Sequence, residues 1–471
     1  MLGVKGTRRL LLVVGVVLLA SIVLAMMKIR RRGSFAGEPR NAPAVIFVVM
    51  DTVRADRTSL CGYEHPTTPN LEGLVETGAS YVCDSHSPST WTLPSHASFF
   101  TGVGLDTHGA GIGGGAEPMT WGGVTPLGPE LPTLAEEMSA RGYQTLLLSG
   151  NPVVAERMGL TRGFDHVAIG RTYEMFRDHR LAERLKGLMR VEPLDSSRPL
   201  FAFINIADAH SPWSEVPEGV DFLPTRSAME VNPGRRRFES GEVHGEEAER
   251  YLAHLSDAYD YAVLRADRSL ALILDVLGSE GWLDQSYRLV ITSDHGEYLG
   301  EHQMIEHGRE HLYEPVTQVP LLYFSTDGEL ALPKGVASIV VHSLVRNGVL
   351  PNPLPPSIAS AFRSYGPPTG AGAPCASAQA ALWNGRTKLA ADRGRVVRFD
   401  LGTDPEEVEP LQADDDPDAP GLLKHCRALD EAYASRPTID AELDSALKAQ
   451  LEALGYVQDD EPAAVEPPNT P

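Results

Sequence analysis

The chain is poor in cysteine and in cations. Four cysteines in 471 residues, Cys61, Cys83, Cys375 and Cys426, show none of the short paired spacings of a structural zinc site, so they read as buried thiols or disulfides. Two local pairs, Cys61 with Cys83 and Cys375 with Cys426, suit a domain exported to an oxidising space, although sequence alone does not decide which sulfurs join. Lysine and arginine number 41 against 63 aspartates and glutamates, for a formal charge of −22. Eight of the basic residues fall in the first 40. From residue 41 onward 33 basic residues face 62 acidic ones, a charge of −29, and a nucleic acid would be repelled. Internal repeats are absent, which excludes a solenoid.

Long apolar runs are also scarce, with one exception. Leu10–Met27 holds 18 uncharged residues between Lys5, Arg8 and Arg9 on one side and Lys28, Arg30, Arg31 and Arg32 on the other. As a helix it would span about 27 Å, close to a hydrocarbon core. It carries no small-x-small cleavage site and no following cysteine for lipidation, so residues 1–33 are expected to be a retained signal anchor rather than a cleaved peptide. Basic residues on both flanks leave the orientation undecided. A Gly/Pro-rich linker is expected over 34–43.

The folded part begins with AVIFVVMD, a continuous apolar run ending in an acid, which suits a strand buried on both faces of a parallel sheet. The pattern recurs in YQTLLLSGN, PLFAFINIAD and YRLVITSDHGE. Helix-like stretches alternate with these strands, including LPTLAEEMSARG and the long YLAHLSDAYDYAVLRADRSLALILDVLG. That alternation predicts an α/β domain over 44–350 with its ligands at the carboxyl ends of the strands. After a Pro/Gly-rich interval, WNGRTKLAADRGRVVRFDLGTDPEE reads as short strands, and a small C-terminal subdomain is expected over 375–456. The acidic, proline-rich 457–471 is expected to be disordered.

Two strand ends carry acids: Asp51 in VVMDTVRAD, and the Asp294–His295 doublet in ITSDHGEYLGEH. A carboxylate buried at a strand end must be paired, hydrogen-bonded or metal-bound. The doublet offers a metal one oxygen and one nitrogen, and Asp51 offers a further oxygen from a neighbouring strand. Thr92, in WTLPSHASFFTG, has two compatible readings. It is placed to cap a helix that starts at the following proline, and a helix start aims its amides at an anion.

Taken in order, VIFVVMDTVRADRTSLCGY, TPNLEGLVETGASY, WTLPSHASFFTG, LPTLAEEMSARGYQT, NIADAHSPW, LVITSDHGEYLGEH and LYEPVTQVPLL resemble the sulfatase family of the alkaline phosphatase superfamily, and RFDLGTDPEE resembles that family's C-terminal subdomain. The resemblance implies a sandwich with a central, mostly parallel sheet flanked by helices and a small C-terminal α+β subdomain. It implies that Asp51, Asp294 and His295 bind a divalent metal, with Thr92 beside it at the nucleophile position. His96 falls where the family carries an arginine that supports the nucleophile. His210 matches a histidine that contacts the ester or its leaving group. Arg309 is nearest by spacing to a lysine that binds the anionic group, and His307 and His311 compete for that role.

Departures from the family pattern matter as much. Sulfatases use a cysteine or serine oxidised to formylglycine, which threonine cannot form because its β-carbon carries a methyl. No formylglycine is therefore expected, and Thr92 must attack as its own alkoxide. The usual second aspartate is Thr52 here, and a lysine near the next strand end is Asn151. A threonine nucleophile resembles the superfamily branches that act on phosphate esters and diesters. Two carboxylates, a threonine oxygen and one imidazole favour Ca²⁺, Mg²⁺ or Mn²⁺ over zinc. The expected protein is thus a membrane-anchored hydrolase or transferase, with its domain periplasmic or extracellular, that acts on a sulfated or phosphorylated glycan, lipid or small molecule. The alternative is a catalytically silent relative that binds an anionic glycan or lipid head group.

Overall fold

The structure is a computed structural model that describes residues 42–435 apart from 113–123, 214–215, 227–234, 308–310, 363–373 and 377. The proposed anchor, Arg309 and the acidic tail lie outside the described residues. Among the described residues no helix is long and apolar enough to cross a membrane.

The larger layer system is built on β1 (Ala44–Met50), α1 (Pro69–Glu76), β2 (Ser80–His86), α2 (Thr92–Thr101), α3 (Leu134–Ala140), β3 (Gln144–Ser149), β4 (His166–Ile169), α4 (His179–Val191), β5 (Leu200–Ile206), α5 (Glu246–Ser279), β6 (Tyr287–Thr292), β7 (Gln318–Ser325) and α6 (Val341–Asn347). Seven strands form one sheet in the order β2-β7-β6-β1-β5-β3-β4. Only β7 runs against the others, pairing antiparallel with both β6 and β2. The four apolar runs read from sequence are the four central strands, β6, β1, β5 and β3, all mutually parallel.

Alternation along β1 explains why that strand reads as one continuous apolar run. Ile46, Val48 and Met50 pack on one face against α1, α4 and α5, while Val45, Phe47 and Val49 pack on the other against α2, α3 and α6. A strand covered on both faces has no polar side to show. The helix-like stretch LPTLAEEMSARG contains α3, whose N-terminus is closed by a capping box between Thr133 and Glu136. The long helical pattern is the single 34-residue helix α5, about 51 Å from end to end.

The C-terminal unit is a five-stranded antiparallel sheet, β8 (Ser357–Phe362), β9 (Ala378–Asn384), β10 (Thr387–Asp392), β11 (Arg395–Asp400) and β12 (Leu411–Gln412), packed on α7 (Ala419–Ala434). Its first strand, SIASAF, lies upstream of the boundary read at 375. Serines and alanines leave no hydrophobic alternation to mark it. Both local disulfides, Cys61–Cys83 and Cys375–Cys426, are formed, and no described cysteine is free.

At the seam between the two units Lys388 is 1% exposed and reaches Glu407 at 2.6 Å and Glu314 at 3.3 Å. Trp383 Nε1 also donates to Glu314, at 2.6 Å, and its ring stacks on His86. These buried charges are paired across the seam, as their desolvation requires.

Candidate active site

Parallel strands deliver their carboxyl ends to one edge of the sheet. Asp51 follows β1, Asn205 is the penultimate residue of β5, opposite Val49 and Ser149, Asn151 follows β3, and Asp294 and His295 follow β6. All five side chains are fully buried. The backbone turns inward sharply after β1, where Thr52 holds φ at 62°, a conformation costly for a β-branched residue. Two bonds hold that turn. The Thr52 amide donates to Asp294 Oδ1 at 3.2 Å, and its carbonyl accepts the Tyr259 hydroxyl at 2.6 Å.

Asp51 presents its two oxygens differently. Oδ2 accepts Asn151 Nδ2 at 2.7 Å and Asn205 Nδ2 at 2.8 Å, while Oδ1 has no hydrogen-bond partner. Asp294 repeats the arrangement, with Oδ1 accepting the Thr52 and His295 amides and Oδ2 left without a hydrogen bond. His295 Nδ1 donates to the Gly296 carbonyl at 3.0 Å, which leaves its unpartnered Nε2 on the side of the acids, 3.5 Å from Asp294 Oδ2.

Ligand atoms of Asp51, Asp294 and His295 lie within 4.8 Å of one another, and no other such group of three occurs among the described residues. Three orphaned buried atoms converging on one point are what a divalent cation satisfies and water-free protein does not. The electrostatics agree. Burial, with the neighbouring Asp294 charge, pushes the Asp51 carboxyl up to about 7, and burial pushes Asp294 up to about 7. Burial also holds the His295 imidazole below its ordinary value. Two carboxyls that ionise reluctantly and an imidazole that stays neutral make a good donor set for a metal ion and a poor site without one.

Thr92 faces the same point. Its hydroxyl accepts Asn151 Nδ2 at 3.0 Å and hydrogen-bonds the Asp294 carboxylate. The capping reading is corrected here. Trp91 is the N-cap of α2 and makes no side-chain cap bond, while Thr92 is the first helical residue. Its side chain therefore serves the site rather than the helix end.

His96 stands one turn further along α2. Its Nδ1 donates to the Thr92 carbonyl at 2.9 Å, and its Nε2 lies 3.4 Å from Asn205 Nδ2. Burial among Phe99, Phe100 and Phe203 drops its imidazole to about 3. A neutral imidazole thus occupies the place where the family resemblance implies a cationic arginine, and it braces the backbone under Thr92. His96→Phe keeps the aromatic packing and removes both nitrogens. We expect kcat to fall by about 10², the cost of misplacing a reacting group by roughly an ångström, with KM unchanged in steady-state kinetics.

His210 is also fully buried, stacked on Tyr173 at 3.8 Å, with Nδ1 donating to the Ser211 carbonyl at 2.6 Å. Burial holds it well below its ordinary value. The ring of His307 lies 5.0 Å from that of His210 and 4.4 Å from that of His295. His307 is thus the competitor that the fold brings to the site. His311 is not brought there. It sits in the domain seam, its amide on Gln379 and its ring parallel to Tyr313, beside Lys388 and Glu407.

Asn205 was missed in the sequence, because an asparagine in an apolar strand carries no motif. Only its register opposite Val49 marks it.

The Sulfatase family model matches residues 43–345. Among solved structures, the chain is similar to the phosphonate monoester hydrolase of Agrobacterium radiobacter, at 15% identity and a TM-score of 0.58 over 83% of this chain and 96% of that one. It is similar to the phosphonate monoester hydrolase from Silicibacter pomeroyi at 18% identity and 0.58, over 86% and 97%. A third, solved in complex with its substrate D-glucosamine-2-N,6-O-disulfate, matches at 15% identity and 0.58, over 84% and 99%. At these identities the likeness is one of fold. No curated protein matches the chain in sequence.

Proposed function

The chain belongs to the sulfatase family, and from that premise we propose that it is a divalent-metal-dependent hydrolase or transferase cleaving a sulfate or phosphate ester through Thr92. One observation carries this reading: the Thr92 hydroxyl shares its hydrogen-bond partners, Asn151 and Asp294, with the cluster of orphaned ligand atoms. A silent binding protein has no need to keep a hydroxyl there.

Asp51, Asp294 and His295, with the Thr92 oxygen, would hold the ion, and the hard donor set favours Ca²⁺, Mg²⁺ or Mn²⁺. When bound, such an ion supplies Lewis acidity that lowers the hydroxyl pKa and offsets charge on the ester oxygens. The chain's own residues supply the rest. Asp294 accepts the Thr92 hydroxyl and is the nearest base for its proton. Thr92 Oγ1 then forms a bond to sulfur or phosphorus as the bond to the leaving oxygen breaks. Asn151 Nδ2 offsets charge on the threonyl oxygen. His210 and His307 face the ester with Nδ1–H turned away to Ser211 and Glu297, so the Nε2 of one of them takes the proton of the incoming water or alcohol. The departing alkoxide is protonated by solvent, to which Asp294 passes the threonine proton. Water or an acceptor alcohol releases the threonyl ester in a second displacement, and only that step separates hydrolysis from transfer.

Formylglycine chemistry is closed to threonine, and the neutral Asn151 and His96 replace the lysine and arginine expected by family resemblance. The closed formylglycine route weighs against sulfate monoesters, and we place phosphodiesters first, because a diester carries one negative charge, against nearly two on a phosphate monoester, for the missing cations to offset. Two formed disulfides support an oxidising compartment, and with the apolar Leu10–Met27 run we propose an exported, membrane-anchored domain. Paired aryl sulfate, aryl phosphate and aryl phosphodiester should be offered with Ca²⁺, Mg²⁺, Mn²⁺ or Zn²⁺ added singly. Metal-dependent phosphodiester turnover is the expected result. Failure of any ion to bind the purified domain by calorimetry would remove the enzymatic reading.

A further inference from the structure

One buried acid in the site has no part in the chemistry above. Glu297, two residues past His295, is fully buried, and an isolated carboxylate there would cost several kcal/mol. Its Oε2 lies 3.1 Å from His307 Nδ1. The pairing follows from a two-residue antiparallel ribbon in which Tyr298 faces Glu306 and Leu299 faces Ile305. Extending that register by one step sets Glu297 opposite His307.

The ribbon is pinned on both arms. Arg54 Nη1 donates to the Glu297 carbonyl at 2.9 Å and to Glu301 at 2.7 Å, within the turn. Gly296 comes so close to the next segment that a Cβ there would sit 2.0 Å from the Pro315 carbonyl oxygen, so only glycine lets Glu297 enter at this depth. On the other arm Glu306 holds φ at 64° and pairs with Arg235. That sharply turned backbone precedes the imidazole it directs.

An imidazole that donates Nδ1–H to a carboxylate carries its lone pair on Nε2, in a fixed ring plane. His307 lies beside both His295 and His210, so that plane determines where its second nitrogen meets a substrate. Glu297 and His307 do not build a second metal centre with three ligands, since Asp51, Asp294 and His295 form the one such group among the described residues. We infer that Glu297 is a positioning residue: by its bond to Nδ1 it fixes the plane and tautomer of His307, through which it acts on the anionic ester. This rests on the ester-cleaving reading above.

The test is a double-mutant cycle on the full domain, using the aryl ester that the wild type turns over. The expected result is that E297Q, which keeps an acceptor for Nδ1–H, stays within about threefold of wild type in kcat/KM. E297L should lose about 10- to 100-fold, the usual cost of removing such a support. In an H307A background E297L should cost nothing further, while Mn²⁺ affinity by calorimetry stays the same in all variants. Equal losses from E297L in both backgrounds, or a loss of Mn²⁺ binding, would overturn the inference. If E297L does not fold, the comparison passes to E297Q against E297N, which differ by one methylene of reach. Thr92→Ala separates the two layers of the argument. A fully active Thr92→Ala sinks the parent reading, whereas an inactive one with an additive cycle sinks only the role of Glu297.

Discussion

Thr92→Ala should leave a folded, metal-binding domain that turns over its substrate on the order of 10⁴-fold more slowly or worse, as removal of a nucleophile does elsewhere. Folding is expected to survive because Thr92 is not the N-cap of α2. The N-cap of α2 is Trp91, and the first turn is held by its backbone and by His96 donating to the Thr92 carbonyl. Metal affinity should fall only modestly, since two carboxylates and an imidazole remain. Thr92→Ser keeps the hydroxyl and loses one methyl, so it should retain measurable turnover. Loss of activity in alanine with partial recovery in serine separates chemistry at the oxygen from packing at the β-carbon. Circular dichroism and calorimetry on the same preparations check the premises about fold and metal.

The second large effect concerns pH and the metal together. In the metal-free protein Asp51 and Asp294 are both pushed up to about 7, whereas in the unfolded chain they ionise at the ordinary carboxylate value of 3.8. A group with a raised folded-state pKa contributes stability at pH below its unfolded value, and that stability is lost as pH rises through the folded value. The chelated domain should therefore lose stability between about pH 4 and 7. Each tenfold difference in proton affinity corresponds to about 1.4 kcal/mol, so two such carboxyls make this a loss of several kcal/mol. Added Mn²⁺ should reverse the trend, because binding displaces those protons and strengthens as pH rises. Asp294→Asn should abolish the metal-induced rise in Tm and yet stabilise the chelated domain at pH 8, since it removes a buried charge. Tm measured at pH 5 and pH 8, with chelator and with Mn²⁺, decides the matter; a chelated domain more stable at pH 8 would contradict the assignment.

Much of the central sheet was legible because burial on both faces writes itself as unbroken apolar runs. β1, β3, β5 and β6 are those runs, and the acids that follow β1 and β6 belong to the group of three side chains that could hold a metal ion. Sulfatase membership was legible from the motif order and holds over residues 43–345. Elements whose identity depends on a partner were less visible. β8, SIASAF, is mostly serine and alanine and becomes a strand through pairing with β9. Asn205 gains its role from the register that sets it beside Asp51 and His96. The choice between His307 and His311 is not a matter of spacing at all. A two-residue ribbon carries the first to His295, and the loop after it carries the second to Gln379. Thr92 lies beside Asn151 and Asp294, but the helix-capping half of its reading failed because the helix starts two residues before the proline, at Thr92 itself.

The most direct test of the account is to look for the covalent intermediate. The domain, with its metal and an activated aryl phosphodiester or aryl sulfate, should be quenched in acid during turnover, digested, and its peptides weighed by mass spectrometry. The account predicts that the peptide containing Thr92 gains the mass of the transferred phosphoryl or sulfuryl group, at that threonine, and that Thr92→Ala shows no such species. Steady turnover with the group never found on Thr92, and undiminished in Thr92→Ala, would contradict it.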